Sequence, residues 1–385
     1  EIERAMVEFA TGGGMIVGAV YTLYKMRKQL FGGIARSISD VRKAAESGVE
    51  QSRLEKDISF KVIFPLVGVF LILMAALYYY FCGSLSGAII ATVVLGIAGF
   101  FFAAVAGYLV GLIGSSNNPI SGLTLSTLII AALLMVGVGV SGQAGVAAVL
   151  GVAAVVCCSC GVAGDMMQDM KVGHLLGGTP WKMELAEIIG VIVAGAVLFI
   201  PLMILHEGDI AGGGVGFGGK ALPAPQAGLM AMLANGIVTG QMAWPLVLSG
   251  MFMSLALILI KAPSPMLIAV GMYLPLETTF AVFTGGAIRY AVDTIAARRK
   301  LNDAQKVRVE NNGILLSSGL IAGEALMGLL IAGLVFFGFQ MPKVFENPTA
   351  WVGYIILAVL AFFLIKIPLS NAGRPDEPAP PSAMV

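Results

Sequence analysis

Long apolar runs separated by short polar segments dominate this chain. Many of them approach the ~20 residues that an α-helix needs to cross the hydrocarbon core of a bilayer. The ten clear runs cover residues 5–24, 62–81, 87–112, 123–141, 144–164, 184–205, 246–261, 265–288, 313–337 and 351–368. Because lipid offers the backbone no hydrogen-bond partner, such runs must be helices, whereas membrane barrel strands are shorter and alternate. The pattern predicts an all-α, polytopic bundle of transmembrane helices.

The composition and the charge distribution agree with this prediction. Hydrophobic residues make up 58% of the 385 residues and charged residues only 12%, against roughly a quarter charged in soluble domains. Lys and Arg concentrate in the segments 25–61 and 289–312, which the positive-inside rule places in the cytoplasm. Because acids are interleaved with these basic residues, the segments do not indicate binding of nucleic acid.

Two cytoplasmic loops require an even number of crossings between them, but only seven clear runs separate them. Segment 222–243 is the best candidate for an eighth crossing, because it is apolar but interrupted by prolines and glycines. Such broken or re-entrant helices are tolerated where protein or water satisfies the freed backbone groups, as in transporter binding sites. We therefore predict about eleven spans within a transmembrane domain at 1–369. The proline-rich segment 370–385 is expected to be a disordered tail.

A polar island at residues 161–184, GVAGDMMQDMKVGHLLGGTPWKME, lies between two apolar runs. Ionisable groups this close to hydrocarbon are costly, so they usually line a wet pathway or lie at a membrane face. Asp165 and Asp169 share one helix face at i, i+4, where two carboxylates can bind a coupled proton. Lys171 points elsewhere and is a candidate substrate ligand. Solvated carboxylates at a membrane face are the alternative interpretation.

Two amide-bearing segments are candidates for substrate contact. Asn117 and Asn118 belong to SSNNPISG at residues 115–122. They could cap the following helix, whose free N–H groups would then face an anionic group, or they could simply turn the chain before a proline. Gln226 belongs to the broken segment and is expected to face a substrate cavity.

Two further acids lie inside apolar runs. Glu277 follows Pro275 in MYLPLETT and is expected to carry a proton or to bind a substrate amine, because intramembrane acids are usually functional. A glutamate at a helix end facing water is the alternative. Glu324 shares a helix face with Ser317 and Ile321. It is expected to contact substrate, although a structural hydrogen bond between helices fits equally well.

Enzyme chemistry finds little support in the sequence. The string Gly-Val-Ser-Gly around Ser141 resembles that of membrane serine proteases, so a membrane-embedded serine hydrolase stays open as an alternative, as does a channel. A serine nucleophile needs a base, and the only two histidines, His174 and His206, fall at predicted membrane edges. Cys157 and Cys160 share a helix face without a nearby His or acid, so no metal site is predicted. The chain is not expected to be an enzyme.

Five motifs occur in a characteristic order along the chain: SSNNPISGLTLSTL (115–128), DMKVGHL (169–175), LPAPQA (222–227), YLPLETT (273–279) and SSGLIAGEALMG (317–328). Together they resemble the oligopeptide transporter family, in particular its bacterial branch related to yellow-stripe metal-chelate transporters. The resemblance covers essentially the whole chain and implies that it corresponds to the C-terminal portion of longer family members.

The resemblance implies a secondary transporter that takes up short peptides or peptide-like metal chelates, driven by protons, with no organic cofactor. The expected partners are the substrate, protons and the lipid bilayer, with a homo-oligomer also open. The expected location is the bacterial inner membrane. One departure lies at residues 177–182, Gly-Gly-Thr-Pro-Trp-Lys, where peptide-carrying relatives have Lys-Ile-Pro-Pro-Arg. The loss of the arginine argues against a long peptide substrate.

Overall fold

The fold is helical throughout the part of the chain that the structure describes, which confirms the predicted all-α class. The structure is a computed structural model that describes residues 6–7, 10–18, 20–21, 24–25, 27, 53–113, 118, 120–219, 222, 224–262, 265–274, 276–339 and 349–378. Within these residues there is no strand. The elements are α1 (10–18), a short 3-10 helix (Arg53–Glu55), α2 (Phe60–Cys82), α3 (Leu85–Ile113), α4 (Ile120–Gly137), α5 (Gly142–Leu176), α6 (Pro180–Ala211), α7 (Pro225–Thr239), α8 (Trp244–Leu259), α9 (Pro265–Tyr273), α10 (Leu276–Arg298), α11 (Asp303–Phe336) and α12 (Ala350–Ser370).

Seven of the described helices are long and apolar enough to cross a bilayer, namely α2, α3, α4, α5, α6, α11 and α12. The apolar run 265–288 is not one helix, because α9 ends before Pro275 and α10 begins after it. Segment 222–243 forms the 15-residue helix α7, which is shorter than a span and has Leu229 and Leu233 buried. The polytopic helical architecture is thus confirmed, while the number of crossings stays a prediction.

The chain divides into two compact units. Unit 1 comprises residues 1–193 and 225–274, and unit 2 comprises residues 194–224 and 275–385. In unit 1, α5 packs against α3 and α4, and α7 packs against α4 and α5. The fully buried side chains of this core come from several helices and include Tyr78, Leu109, Leu123, Leu128, Val149, Val152, Val156, Leu229 and Leu233.

The helices α1 and α8 of unit 1 approach each other at the level of their backbones. A Cβ atom on Gly13 would overlap the carbonyl oxygen of Val247, and a Cβ atom on Gly250 would overlap the carbonyl oxygen of Ala10. Small residues that let helix backbones touch are a main source of helix association inside a membrane, where the hydrophobic effect between helices is absent. These two glycines therefore fix how closely α1 packs on α8.

The polar island does not interrupt the helix, since α5 continues through it to Leu176. Gly177 then takes a left-handed conformation with φ 76°, which glycine adopts without strain. Its N–H donates to the carbonyl of His174 at 3.2 Å, and the N–H of Gly178 donates to the carbonyl of Gly173 at 2.6 Å. Pro180 begins α6 at the position where proline is favoured. A short turn at residues 177–179 therefore joins α5 and α6.

This turn is bound to the segment that precedes α2. Arg53 Nη2 donates to the carbonyl of Gly177 at 3.2 Å, and the N–H of Trp181 donates to the carbonyl of Lys56 at 3.0 Å. Residues 53–56 and the turn between α5 and α6 therefore lie on the same side of unit 1. This placement is expected because the four helices α2 to α5 separate the two segments, and an even number of crossings returns the chain to the side where it began.

In unit 2, α10, α11 and α12 meet in a small core of Val292, Ala296, Val309, Leu369 and Ala372. A capping box begins α11, because Asn302 Oδ1 accepts the N–H of Gln305 at 2.8 Å and Gln305 Oε1 accepts the N–H of Asn302 at 3.1 Å. Reciprocal caps of this kind satisfy two donors that a helix start would otherwise leave unpaired.

Residues 371–378, the first part of the segment expected to be a disordered tail, contact α11. Arg308 Nη1 donates to the carbonyl of Ala372 at 3.0 Å, and Nη2 donates to that of Pro378 at 3.0 Å. Gln305 Nε2 donates to the carbonyl of Gly373 at 3.0 Å. A guanidinium has five N–H donors, so the single side chain of Arg308 can bind the backbone carbonyls of several residues. Residues 379–385 lie outside the described residues.

Candidate functional site

Asn118 is the predicted substrate ligand with the most informative surroundings. Its side-chain Nδ2 donates to the carbonyl of Cys160 on α5 at 3.2 Å. Its Oδ1 is buried and has no hydrogen-bond partner among the described residues. An unpaired buried acceptor costs about 1 to 3 kcal/mol, and native structures retain few such atoms without a function. Asn117 lies outside the described residues.

A glycine on α5 creates the space that Asn118 occupies. A Cβ atom on Gly164 would lie 2.7 Å from Asn118 Nδ2 and 3.0 Å from Val110 Cγ2 of α3. Both distances are shorter than normal contacts, so a larger residue would displace the amide. Gly164 of the GVAGD segment therefore has a packing role, because it allows the side chain of Asn118 to lie directly on the α5 backbone. The sequence predicted a polar island here but not this contact.

The aspartates of α5 form an acidic group with a residue that sequence analysis missed. Asp165 and Asp169 are exposed on one face of α5. Glu187 of α6 lies within electrostatic reach of both, and its Oε1 is buried without a hydrogen-bond partner among the described residues. All three residues belong to unit 1. The short connection between α5 and α6 could have revealed this group, since Glu187 follows the turn by about as many residues as Asp169 precedes it.

A second glutamate of α6 has a structural partner. Glu184 Oε2 accepts a hydrogen bond from the backbone N–H of Ile58 at 3.0 Å. This bond adds to the contacts between the start of α6 and the segment before α2. The charge of Asp57 interacts with that of Glu184, and partial burial raises the pKa of the Asp57 carboxyl above its usual value. Glu184 thus anchors the start of α6 to the segment before α2, while the charge of Glu187 interacts with the charges of the two aspartates.

The remaining predicted site residues are dispersed. Lys171 is exposed on α5, and Gln226 is exposed in the first turn of α7, so both belong to unit 1. Glu277 is exposed in the first turn of α10, directly after the break at Pro275. Glu324 is exposed in the middle of α11. The two glutamates belong to unit 2, and no contact among the described residues assigns any of these four side chains a partner in a site.

The serine hydrolase alternative is not favoured by the geometry. Ser141 lies immediately before α5, and His174 lies near the other end of the same continuous helix. Their separation of 33 positions corresponds to about 50 Å along the helix axis, so His174 cannot act as the base for Ser141. His206 belongs to unit 2, and its Nδ1 accepts the backbone N–H of Phe217 at 3.1 Å.

Comparisons with known proteins give the family. Residues 2–335 match the family described as OPT oligopeptide transporter protein. A protein of Haemophilus influenzae with the name "Putative oligopeptide transporter" is 29% identical over 370 residues, which cover 86% of this chain and 57% of that protein. The chain therefore spans little more than half the length of this relative. No solved structure matches the chain. Together with its seven long apolar helices, the family match across most of the sequence shows that the chain is an integral membrane protein that belongs to the OPT oligopeptide transporter family.

Proposed function

We propose that this chain forms part of a proton-coupled transporter that takes up short peptides or peptide-like metal chelates across the bacterial inner membrane. The name of the Haemophilus influenzae relative and the family match support peptide transport. The observation that carries the assignment of a site is the buried Oδ1 of Asn118, which has no hydrogen-bond partner among the described residues. In this proposal, that oxygen accepts a hydrogen bond from the substrate.

The chemistry of the Asn118 amide fits such a substrate. One N–H of its Nδ2 donates to the carbonyl of Cys160, which holds the side chain in place with its Oδ1 available as an acceptor. Peptides and amino-acid-derived chelates carry N–H donors in ammonium and amide groups, and these donors would satisfy the oxygen. Because an ordered acceptor loses no side-chain entropy on binding, the fixed amide favours recognition.

The acidic group supports coupling to protons. In this proposal, Asp165, Asp169 and Glu187 act as one proton-coupling group, because the charge of Glu187 interacts with the charges of both aspartates. The buried Oε1 of Glu187 would form a hydrogen bond in one state of the transport cycle and lose it in the other. A proton-dependent change at Glu187 is the coupling step that we propose.

The other predicted residues keep the roles that the sequence indicates. We propose that Asn117, Lys171, Gln226 and Glu324 contribute further substrate contacts and that Glu277 carries a proton in unit 2. Glu277 lies in the first turn of α10, directly after the break at Pro275.

Asn118→Leu is expected to weaken substrate binding by about 10-fold to 100-fold, since a hydrogen bond to a charged ligand contributes about 1.5 to 3 kcal/mol. The measurement is uptake of a short-peptide and chelate panel by the full-length protein in proteoliposomes, together with its melting temperature. Asn312→Leu is the matched control, because Asn312 also donates Nδ2 to a carbonyl, that of Asn371 at 3.2 Å. Equal uptake by the two variants would refute the substrate role of Asn118.

Glu187→Gln is expected to abolish substrate accumulation driven by a pH gradient while leaving substrate exchange at equal pH intact. The amide keeps the shape of the carboxyl group but cannot take up the coupled proton. Glu207→Gln serves as the control, since Glu207 lies exposed on the same helix. Normal pH-driven accumulation by Glu187→Gln would show that coupling does not run through this acidic group.

A further inference from the structure

Unit 2 contains a cavity of about 300 Å³ between α10, α11 and α12. Its α11 wall extends from Val309 to Ile321, which corresponds to about 18 Å along the helix axis. Leu364 and Pro368 of α12 form the third side. The hydrocarbon core of a bilayer is about 30 Å thick, so one leaflet contributes about 15 Å, which is close to the length of this wall. The cavity is therefore an elongated groove on the scale of one leaflet of the membrane.

The groove has an apolar body and a charged end. Its body is formed mainly by aliphatic side chains and glycines, with two serine hydroxyls, and the lining residues of this part include Gly285, Ile288, Gly313, Ile314, Ser317, Ser318, Ile321 and Leu364. Arg289, Asp293 and Glu310 lie at the end that is nearest to the connection between α10 and α11. Hydrocarbon fits such a body, while a charged group fits only the end.

The three charged side chains form a network with defined pairing. Arg289 Nη2 donates to Glu310 Oε1 at 2.5 Å, and Arg289 Nε lies 3.9 Å from Asp293 Oδ2. Their side chains are 55%, 32% and 67% exposed for Arg289, Glu310 and Asp293, so all three are accessible to a ligand. A guanidinium has five N–H donors, and the pairing with Glu310 engages Nη2 only. The network can therefore accept an anionic group and a cationic group at once.

We propose that this groove binds a phospholipid with a zwitterionic headgroup that carries a primary amine, with one acyl chain along α11. The phosphate would bind Arg289, and the ammonium would donate to Asp293 and Glu310. Two carboxylates and one guanidinium have a formal net charge of −1, so a headgroup with negative charge alone meets repulsion. A quaternary ammonium lacks N–H donors and would leave both carboxylates without hydrogen bonds.

A short peptide carries the same two terminal charges, but the groove suits it less well. Its backbone N–H and C=O groups would lie against aliphatic walls, where an unpaired polar group costs about 1 to 3 kcal/mol or more. Among the residues that line the body, Ser317 and Ser318 are the ones with hydroxyl groups. A hydrocarbon chain has no such requirement, so charge and wall chemistry together favour the lipid.

The test compares lipids retained by the full-length protein after purification and exchange into defined lipid mixtures. We expect native mass spectrometry to show at least tenfold more phosphatidylethanolamine bound than phosphatidylcholine or phosphatidylglycerol. The double variant Asp293→Asn/Glu310→Gln should lose this preference. Asp303→Asn is the matched control and should keep it, because Asp303 pairs with Lys306 at 3.1 Å on the same helix outside the groove.

A second variant tests the acyl chain without changing charge. Gly285 lines the groove, and a Cβ atom there would meet no heavy atom within 4 Å. Gly285→Leu should therefore fold normally and fill the groove. It should reduce the amount of retained phosphatidylethanolamine by about tenfold. Equal binding of the three lipids, retention of the preference in the double variant, undiminished lipid in Gly285→Leu, or displacement of the lipid by a short peptide would each overturn the proposal.

Discussion

Gly250→Val is expected to lower the stability of the protein by about 3 kcal/mol or more, the upper end of the range for overpacked cores. A Cβ atom on Gly250 would overlap the carbonyl of Ala10 and lie 3.0 Å from the backbone nitrogen of Gly14. Both neighbours are backbone atoms, so no side-chain rotation can relieve the overlap. The helices α1 and α8 must separate instead, and the contacts around them are lost. Thermal unfolding in detergent measures the effect.

The matched control is Gly68→Val on α2, because a Cβ atom on Gly68 would meet nothing within 4 Å. Valine has a higher helix propensity than glycine, so this variant should be as stable as the parent or slightly more stable. Gly13→Ala tests the same contact from α1, since its Cβ atom would overlap the carbonyl of Val247. The double variant Gly13→Ala/Gly250→Val should lose less stability than the sum of the losses in the two single variants. Equal melting temperatures for Gly250→Val and Gly68→Val would contradict the close contact between α1 and α8.

Hydropathy predicted where helices occur but not where each one ends. The apolar run 144–164 stops at the polar island, yet α5 extends through the island to Leu176. A helix satisfies its own backbone hydrogen bonds whatever its side chains are, so polarity does not end it. The end comes at Gly177, where a left-handed residue and bonds to preceding carbonyls stop the helix. Local chemistry therefore sets helix length, while hydropathy indicates the region that can lie in lipid.

The contacts between α11 and the residues after α12 show a different limit of composition. The proline-rich composition from residue 370 onward does not indicate that Arg308, Gln305 and Asn302 bind carbonyls of residues 372–378. These donors lie more than 60 positions earlier in the chain. No local pattern identifies such a pairing, because it depends on α10, α11 and α12 meeting in one small core.

The sequence predicted some residues of the candidate site, but not those whose role depends on tertiary contacts. Asn118 and the aspartates Asp165 and Asp169 stood out because polar groups between apolar runs are rare. Glu187 did not stand out, since it lies near the start of the apolar run 184–205 and comes close to Asp165 and Asp169 only in the folded chain. The role of Gly164 was also hidden, because a glycine on a membrane helix is common and only the tertiary contact reveals what it accommodates.

Gly164→Ala is expected to reduce uptake at low substrate concentration by about 10-fold or more, as loss of a hydrogen bond of about 1.5 kcal/mol or more implies. The new methyl group would lie 2.7 Å from Asn118 Nδ2, so the amide must leave the carbonyl of Cys160. The helix itself gains up to about 1 kcal/mol, because alanine has a higher helix propensity than glycine. We therefore expect a raised KM for substrate in proteoliposome uptake with little change in melting temperature.

Gly161→Ala is the control on the same helix, since its Cβ atom would lie 3.9 Å from Ile120 Cδ1, an ordinary contact. It should transport like the parent protein. If the effect of Gly164→Ala runs through the amide, then adding it to Asn118→Leu should cause little further loss, because the two changes remove the same interaction. A full additional loss in the double variant would place the effect in the packing of α3 on α5, where Val110 lies 3.0 Å from the same Cβ position. Parent-like uptake by Gly164→Ala would instead show that substrate binding does not depend on where Asn118 lies.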